Sequence, residues 1–225
     1  MLRVARLVAA KDLRIELRSR VVTNQVLPFA AIVMVMFAFA LNTDEIVRRV
    51  APGLIWLATL FSLLTLVQRA FAIESADGAM DAMRAAGVDA AGIFLGKTFA
   101  LAAQLAVLET ILLVAAVVLY GAELHAGSVV LLVTTFLAAT CGLALVGTLY
   151  GGLAAGVRGR ETLLPLLLLP VVAPVLIGAT RATEAALGTG GAVVADGWPW
   201  LGLLAVFVAL FGVGGTLAFG PLIEE

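Results

Sequence analysis

The sequence predicts an all-α, polytopic membrane protein with six transmembrane helices. Three observations carry that prediction. Of the 225 residues, 63% are hydrophobic and only 13% charged, where a soluble domain carries about a quarter charged residues. Apolar runs of about 20 residues recur, the length that crosses a hydrocarbon core. Those runs do not alternate apolar with polar residues, as the roughly 10-residue strands of an outer-membrane barrel do.

The elements follow in chain order. Residues 2–20, "LRVARLVAAKDLRIELRSR", place Val4, Leu7, Val8, Leu13 and Leu17 at near-helical spacing with basic residues between them. This pattern predicts an amphipathic helix lying in the membrane interface, either a polybasic topology anchor or an elbow that meets another subunit. Spans are expected near 21–41, 51–72, 93–120, 128–156, 163–180 and 199–220. The "AFA" at 38–40 resembles a signal-peptidase site, but the hydrophobic run before it is span length, so an uncleaved first span is expected. Eleven of the fourteen Lys and Arg fall in the N-terminal segment and in the second and fourth loops; only Arg48, Arg49 and Arg181 fall on the other side. The positive-inside rule then puts both termini in the cytoplasm, in agreement with an even number of spans.

Two spans differ from a plain apolar helix. The fifth holds Pro165, Pro170 and Pro174, each removing a backbone donor and favouring a bent or broken helix. The fourth holds Gly147, Gly151, Gly152 and Gly156, whose GxxxG spacings allow close helix approach. Glu109 falls near the middle of the third span with Gln104 before it. A carboxylate at that depth is costly and faces protein or water; proton coupling and a hydrogen-bonded glutamate at a helix interface are both open readings. Cys141, the only cysteine, lies in an apolar run and is expected to pack inertly. His125, the only histidine, sits in an outer loop with Glu123. A heme axial ligand and a solvated side chain are its two readings, and no metal cluster of the usual spacing is expected.

Catalytic motifs are excluded in turn. "AGIFLGKT" (91–98) imitates a phosphate-binding loop, but three residues separate Gly92 from Gly96 where that loop needs four, and a span follows directly. ATP binding by this chain is rejected, and Lys97 is expected to snorkel toward lipid headgroups. The sequence contains no HExxH and no GxSxG. Any energy must therefore come from a gradient or a partner, and neither a bound cofactor nor a nucleic-acid partner is expected.

The stretch "IESADGAMDAMRAAGVD" (73–89) interrupts the apolar pattern on the cytoplasmic side. Drawn as one helix over Glu74–Val88, it gathers Ala76, Ala79, Met80, Met83 and Gly87 on a soft ridge. Glu74, Asp77, Asp81 and Arg84 share an adjacent polar face. The face suits docking by a soluble partner; a solvated connector is the alternative.

The residues also carry a resemblance. "KDLRIELRSR", "PGLIWLATLFSLLTLVQRAFAIESADGAMDAM" and "RGRETLLPLLLLPVVAPVLIGA" resemble the heme exporter protein B family, with Arg69, Phe71, Asp77 and Gly78 the most specific positions. The chain departs from that family at Gln68, where a glutamate is usual, and near Val88–Ala91, where a proline-containing turn is usual. The resemblance implies a six-span permease of the ABC-2 type serving cytochrome c maturation in the bacterial inner membrane. It implies residues 1–20 as the interfacial helix and 21–225 as the transmembrane domain, with a coupling segment over 73–92. It implies two ATPase subunits that bind the ATP, a second permease copy, membrane subunits that handle heme, and a periplasmic heme chaperone. Glu74, Asp77, Gly78, Met80, Asp81, Met83 and Arg84 would then couple to the ATPase. Arg69, Phe71 and the three prolines would support the coupling. Heme would be a substrate of the complex, carried across or released on its chaperone. An ABC-2 permease for another amphipathic substrate, such as a lipid or drug, is the alternative.

Overall fold

The structure is a computed structural model and describes residues 1–41, 43–76, 78–121, 126–155 and 160–224. Eight α-helices account for most of these residues: α1 (Leu2–Ser19), α2 (Leu27–Ala40), α3 (Asp44–Ala76), α4 (Ala79–Ala85), α5 (Ala90–Tyr120), α6 (Val129–Ala155), α7 (Arg160–Leu187) and α8 (Val194–Glu224). Six stretches are long and apolar enough to cross a membrane: Val22–Ala40, Glu45–Glu74, Ala90–Tyr120, Val129–Ala155, Thr162–Leu187 and Val194–Leu222. The chain is thus a multi-pass, all-α membrane protein. Several helices outrun the expected spans, because backbone hydrogen bonding continues past the point where hydrophobicity stops. α3 begins seven residues before the expected span and takes Arg48 and Arg49 into its first turns.

α6 is the hub of the bundle and packs against α3, α5, α7 and α8. Its small residues make this possible. A Cβ on Gly147 would lie 2.9 Å from Val67, and one on Gly151 would lie 2.4 Å from the Phe71 ring. Across the helix, a Cβ on Gly152 would lie 2.6 Å from Phe219. Glycine spacing on the fourth span therefore serves close packing within this chain. Gly156 lies outside the described residues. α2 and α8 sit at the edge and turn apolar side chains such as Phe39 and Leu217 outward, the surface expected where lipid is the solvent.

Several buried polar groups are paired across helices, while Thr98 Oγ1, Thr135 Oγ1 and one oxygen each of Glu74 and Glu109 accept or donate no hydrogen bond among the described residues. Trp56 on α3 stacks on Phe136 of α6 and donates its indole N–H to Thr183 of α7 at 3.0 Å. The Tyr120 hydroxyl donates to the Met34 carbonyl at 2.6 Å, tying α5 to α2. Glu109 is buried between α5 and α6, where the Thr140 hydroxyl reaches both its carboxyl and the Phe136 carbonyl. The interface reading of Glu109 thus describes its surroundings, and no cation pairs with it among the described residues.

Two expectations are corrected here. α7 continues unbroken through Pro165, Pro170 and Pro174, because a span can lose single donors without ending when neighbouring helices cover the freed carbonyls. Cys141 is exposed on the outer side of α6, so it faces away from the bundle rather than packing in it.

Candidate functional site

The site is assembled where α1 crosses the roots of the loop between α3 and α5. α1 ends at Arg20, whose left-handed backbone (φ 53) turns the chain. The Glu16 carboxylate accepts the Val22 N–H at 2.6 Å, capping the widened turn Val22–Val26 that leads into α2. The glycines of the false phosphate loop set the crossing of α1 on α5. A Cβ on Gly96 would lie 2.6 Å from the Ala5 carbonyl oxygen, and one on Gly92 would lie 2.8 Å from the Val4 Cβ. α1 consequently buries Val8 and Ala9 against its own chain, while Leu7 and Leu17 remain exposed beside Arg3, Arg6, Arg14 and Arg18. The elbow meets α5 of the same chain; the five-residue apolar ridge drawn on the sequence is split between two faces.

Below this crossing lies a ring of four charges, buried at Glu74 and Lys97 and partly exposed at Lys11. Lys97 of α5 is 3% exposed, and its Nζ lies 3.3 Å from Asp12 of α1 and 2.8 Å from Glu74 of α3. The contact with Asp12 is a hydrogen bond; that with Glu74 is an ion pair by distance without hydrogen-bond alignment. Lys11 of α1 closes the ring, 3.2 Å from Asp12 and 2.5 Å from Glu74. Burial alone lowers the pKa of Lys11, but the hydrogen bond to Glu74 and the charges of Asp12 and Glu74 outweigh it and raise the net value. Each ion touches two of opposite sign, so the ring is neutral and compensates the desolvation of its members. A cleft of about 50 Å³ beside it, bordered by Glu16, Arg69, Gln104 and Thr148, has room for a few waters.

Lys97 does not snorkel to headgroups. Three acidic and aromatic neighbours hold it inward: Asp12, Glu74, and the Phe71 ring 4.7 Å below its ammonium. Phe71 is itself buried and fills the notch at Gly151. Arg69 stands half-buried at the cleft.

The coupling segment departs from one continuous helix over Glu74–Val88. α3 runs to Ala76, and α4 is a separate helix over Ala79–Ala85 between Gly78 (φ 62) and Gly87 (φ 65). Both glycines adopt the left-handed conformation that side chains resist. Glu74 therefore belongs to the end of α3, at 3% exposure, and is corrected as a member of the exposed polar face. Met83 is partly buried against the bundle core while Ala82 and Ala85 are exposed, so the methionine ridge is turned in part toward this chain. Asp77 and His125 lie outside the described residues, and the backbones of Met80, Asp81 and Arg84 lie in α4. The prolines of α7 are not brought to this site by any contact described above. Lys11, Asp12 and Lys97 were missed as site residues. The signal available was the placement of Glu74 and Lys97, opposite charges at the two ends of one loop.

Comparison with known proteins matches this architecture over nearly the whole chain. The chain is 31% identical over 214 residues to heme exporter protein B of Paracoccus denitrificans, covering 94% of this chain and 92% of that protein. It is 30% identical over 175 residues to heme exporter protein B of Rhodobacter capsulatus, covering 76% and 78%. It is 29% identical over 190 residues to that of Pseudomonas aeruginosa, covering 83% of each. A family model described as CcmB protein matches residues 3–221. The match runs from α1 through the glycine-bounded loop to the last span, and the chain belongs to the CcmB protein family.

Proposed function

We propose that this chain is the membrane-spanning permease subunit of a heme transporter that serves the assembly of c-type cytochromes. The observation that carries the reading is membership of the CcmB family over residues 3–221, with relatives named heme exporter protein B. On this reading the chain is no enzyme, and a partner ATPase supplies the ATP site. Heme is a substrate of the complex rather than a cofactor of this chain. It is delivered by passage or by release of a loaded periplasmic chaperone. The partners are two ATPase copies, a second copy of this chain and further heme-handling membrane subunits. With both termini in the cytoplasm, as the charge asymmetry favours, α4 faces the partner ATPase.

The chemistry of the site supports a docking role better than a transport path. The cleft beside the charge ring, at about 50 Å³, admits water but not a porphyrin, which needs several hundred Å³. α4 is short, projects between two glycines and leaves Ala82 and Ala85 open to contact. Asp77, Asp81 and Arg84 would supply polar contacts around it.

Affinity purification in mild detergent, with identification of every accompanying subunit, tests the reading. An ATPase and heme-handling subunits are expected to follow the native chain. Gly78→Trp and Asp77→Lys are expected to insert normally and lose the ATPase. Accompanying proteins that belong to lipid or drug export would overturn the heme assignment. Normal co-purification and normal stimulated hydrolysis in both variants would overturn the docking role of α4.

A further inference from the structure

We infer that the ring of Lys11, Asp12, Glu74 and Lys97 is the transmission joint of this protein. It makes α1 and the two roots of the α4 segment one mechanical body, so that displacement of α4 is delivered to α1 and, through Phe71, to α6. The inference rests on the docking role of α4 given above and adds residues and a helix that this role does not include.

α4 cannot transmit force through its own backbone alone. It is seven residues long, and a Cβ on either flanking glycine, Gly78 or Gly87, would meet nothing within 4 Å. Those glycines are open hinges. On the α3 side the ion pairs to α1 begin at Glu74, four residues before Gly78; on the α5 side Asp89 meets the N-terminus and Gly92 meets Val4 before the chain reaches Lys97, ten residues after Gly87. The Glu74 and Lys97 side chains are almost fully buried, and both bridge to α1. Opening the ring strands buried charge, so movement of the ring as a unit costs less than its rupture. α1 is held to α5 independently by the glycine crossing at Gly92 and Gly96. Lys97 rests on Phe71, and Phe71 is lodged against Gly151 and beside Val67. Rotation of the ring thus presses directly on the hub helix of the bundle.

Two measurements on the complete complex test this. The first is charge reversal: Glu74→Lys and Lys97→Glu singly, and all four positions together (Lys11→Glu, Asp12→Lys, Glu74→Lys and Lys97→Glu), which restores alternating charge around the ring. Each single variant is expected to lower c-type cytochrome yield about tenfold or more, with the ATPase still co-purifying and hydrolysing ATP. The fully reversed ring is expected to recover most of the yield. A purely structural role would instead lower the amount of inserted protein and its hydrolysis in step with the yield. Unchanged yield in the single variants would overturn the joint. The second measurement avoids the ring and does not depend on those variants folding. Spin labels at the exposed positions Leu7 of α1 and Thr65 of α3 (Leu7→Cys and Thr65→Cys, with Cys141→Ala) report the separation of α1 from the α3 root of the α4 segment. That distance is expected to stay constant through the ATP cycle. A change of several Å, with the ATPase bound, overturns the joint while leaving the docking role standing. Failure of the native chain to bring down any ATPase overturns both.

Discussion

Gly151→Ala is the sharpest test of how the bundle is packed. The added Cβ would lie 2.4 and 2.6 Å from two carbons of the Phe71 ring and 2.7 Å from Val67. Carbon atoms prefer about 3.5–4.0 Å, so α6 must retreat from α3 by about 1 Å or the ring must leave its place. Overpacking of this kind costs typically 1–3 kcal/mol, and three overlaps on carbons of the buried Phe71 and Val67 side chains put it at about 3. Replacing a helical glycine by alanine returns about 1 kcal/mol of helix propensity, leaving about 2 kcal/mol of net destabilisation. For a chain of this size that corresponds to a fall in midpoint of roughly 4–8 °C, read by tryptophan fluorescence in mild detergent. Gly202→Ala is the control, because a Cβ there meets nothing within 4 Å; it should stabilise by about 1 kcal/mol. Phe71→Ala in the Gly151→Ala background should recover part of the loss, giving a coupling of about 1 kcal/mol or more between the two positions. A Gly151→Ala protein as stable as the native one, or a Phe71 change whose effect is simply additive, would refute the close α3–α6 packing.

Three further predictions concern charge. Lys97→Met leaves Asp12 and Glu74 with only Lys11 between them and should cost about 3–5 kcal/mol. Lys11→Met, removing an ammonium whose side chain is 39% exposed, should cost about 1 kcal/mol or less; paired thermal melts of the two variants separate these values. The folded-state pKa of Lys11 is raised above the ordinary 10.5. The stability its charge adds is therefore complete below 10.5 and is lost only as pH rises through the higher folded value. The anisotropy of a fluorophore at Leu7 should consequently stay flat from about pH 6 to 9 and fall only in stronger alkali; a transition near neutrality would contradict the ring as described. Glu109→Gln should melt within about 1 kcal/mol of the native protein, since no cation among the described residues pairs with Glu109, whereas Glu109→Lys should impair insertion by placing a positive charge at about 2.5–3.5 kcal/mol cost mid-membrane, as judged by membrane yield.

The site was only half legible in the sequence. The charged loop and its helical character follow from local composition. Lys97 was misread because its neighbours in sequence are apolar and its partners are 85 and 23 residues away, on α1 and α3. Glu74 was placed on the wrong surface because helical phase, carried through Gly78, ignores the left-handed turn that ends α3. The close packing that Gly92 and Gly96 serve is visible only once α1 lies across them.

By itself the sequence determined that the chain is helical, carries six runs able to cross the membrane and begins with an amphipathic segment. Those properties depend on hydrophobic length, periodicity and charge placement, which are written locally along the chain. Tertiary structure decided which face of α1 is buried, that α6 is the hub, and that four charges from three helices close into one neutral ring. Each of those depends on which helices meet and at what depth. Burial turns Asp12, Glu74 and Lys97 into a group that holds together with the partly exposed Lys11, because in a medium that solvates ions poorly each holds the others' charge in place.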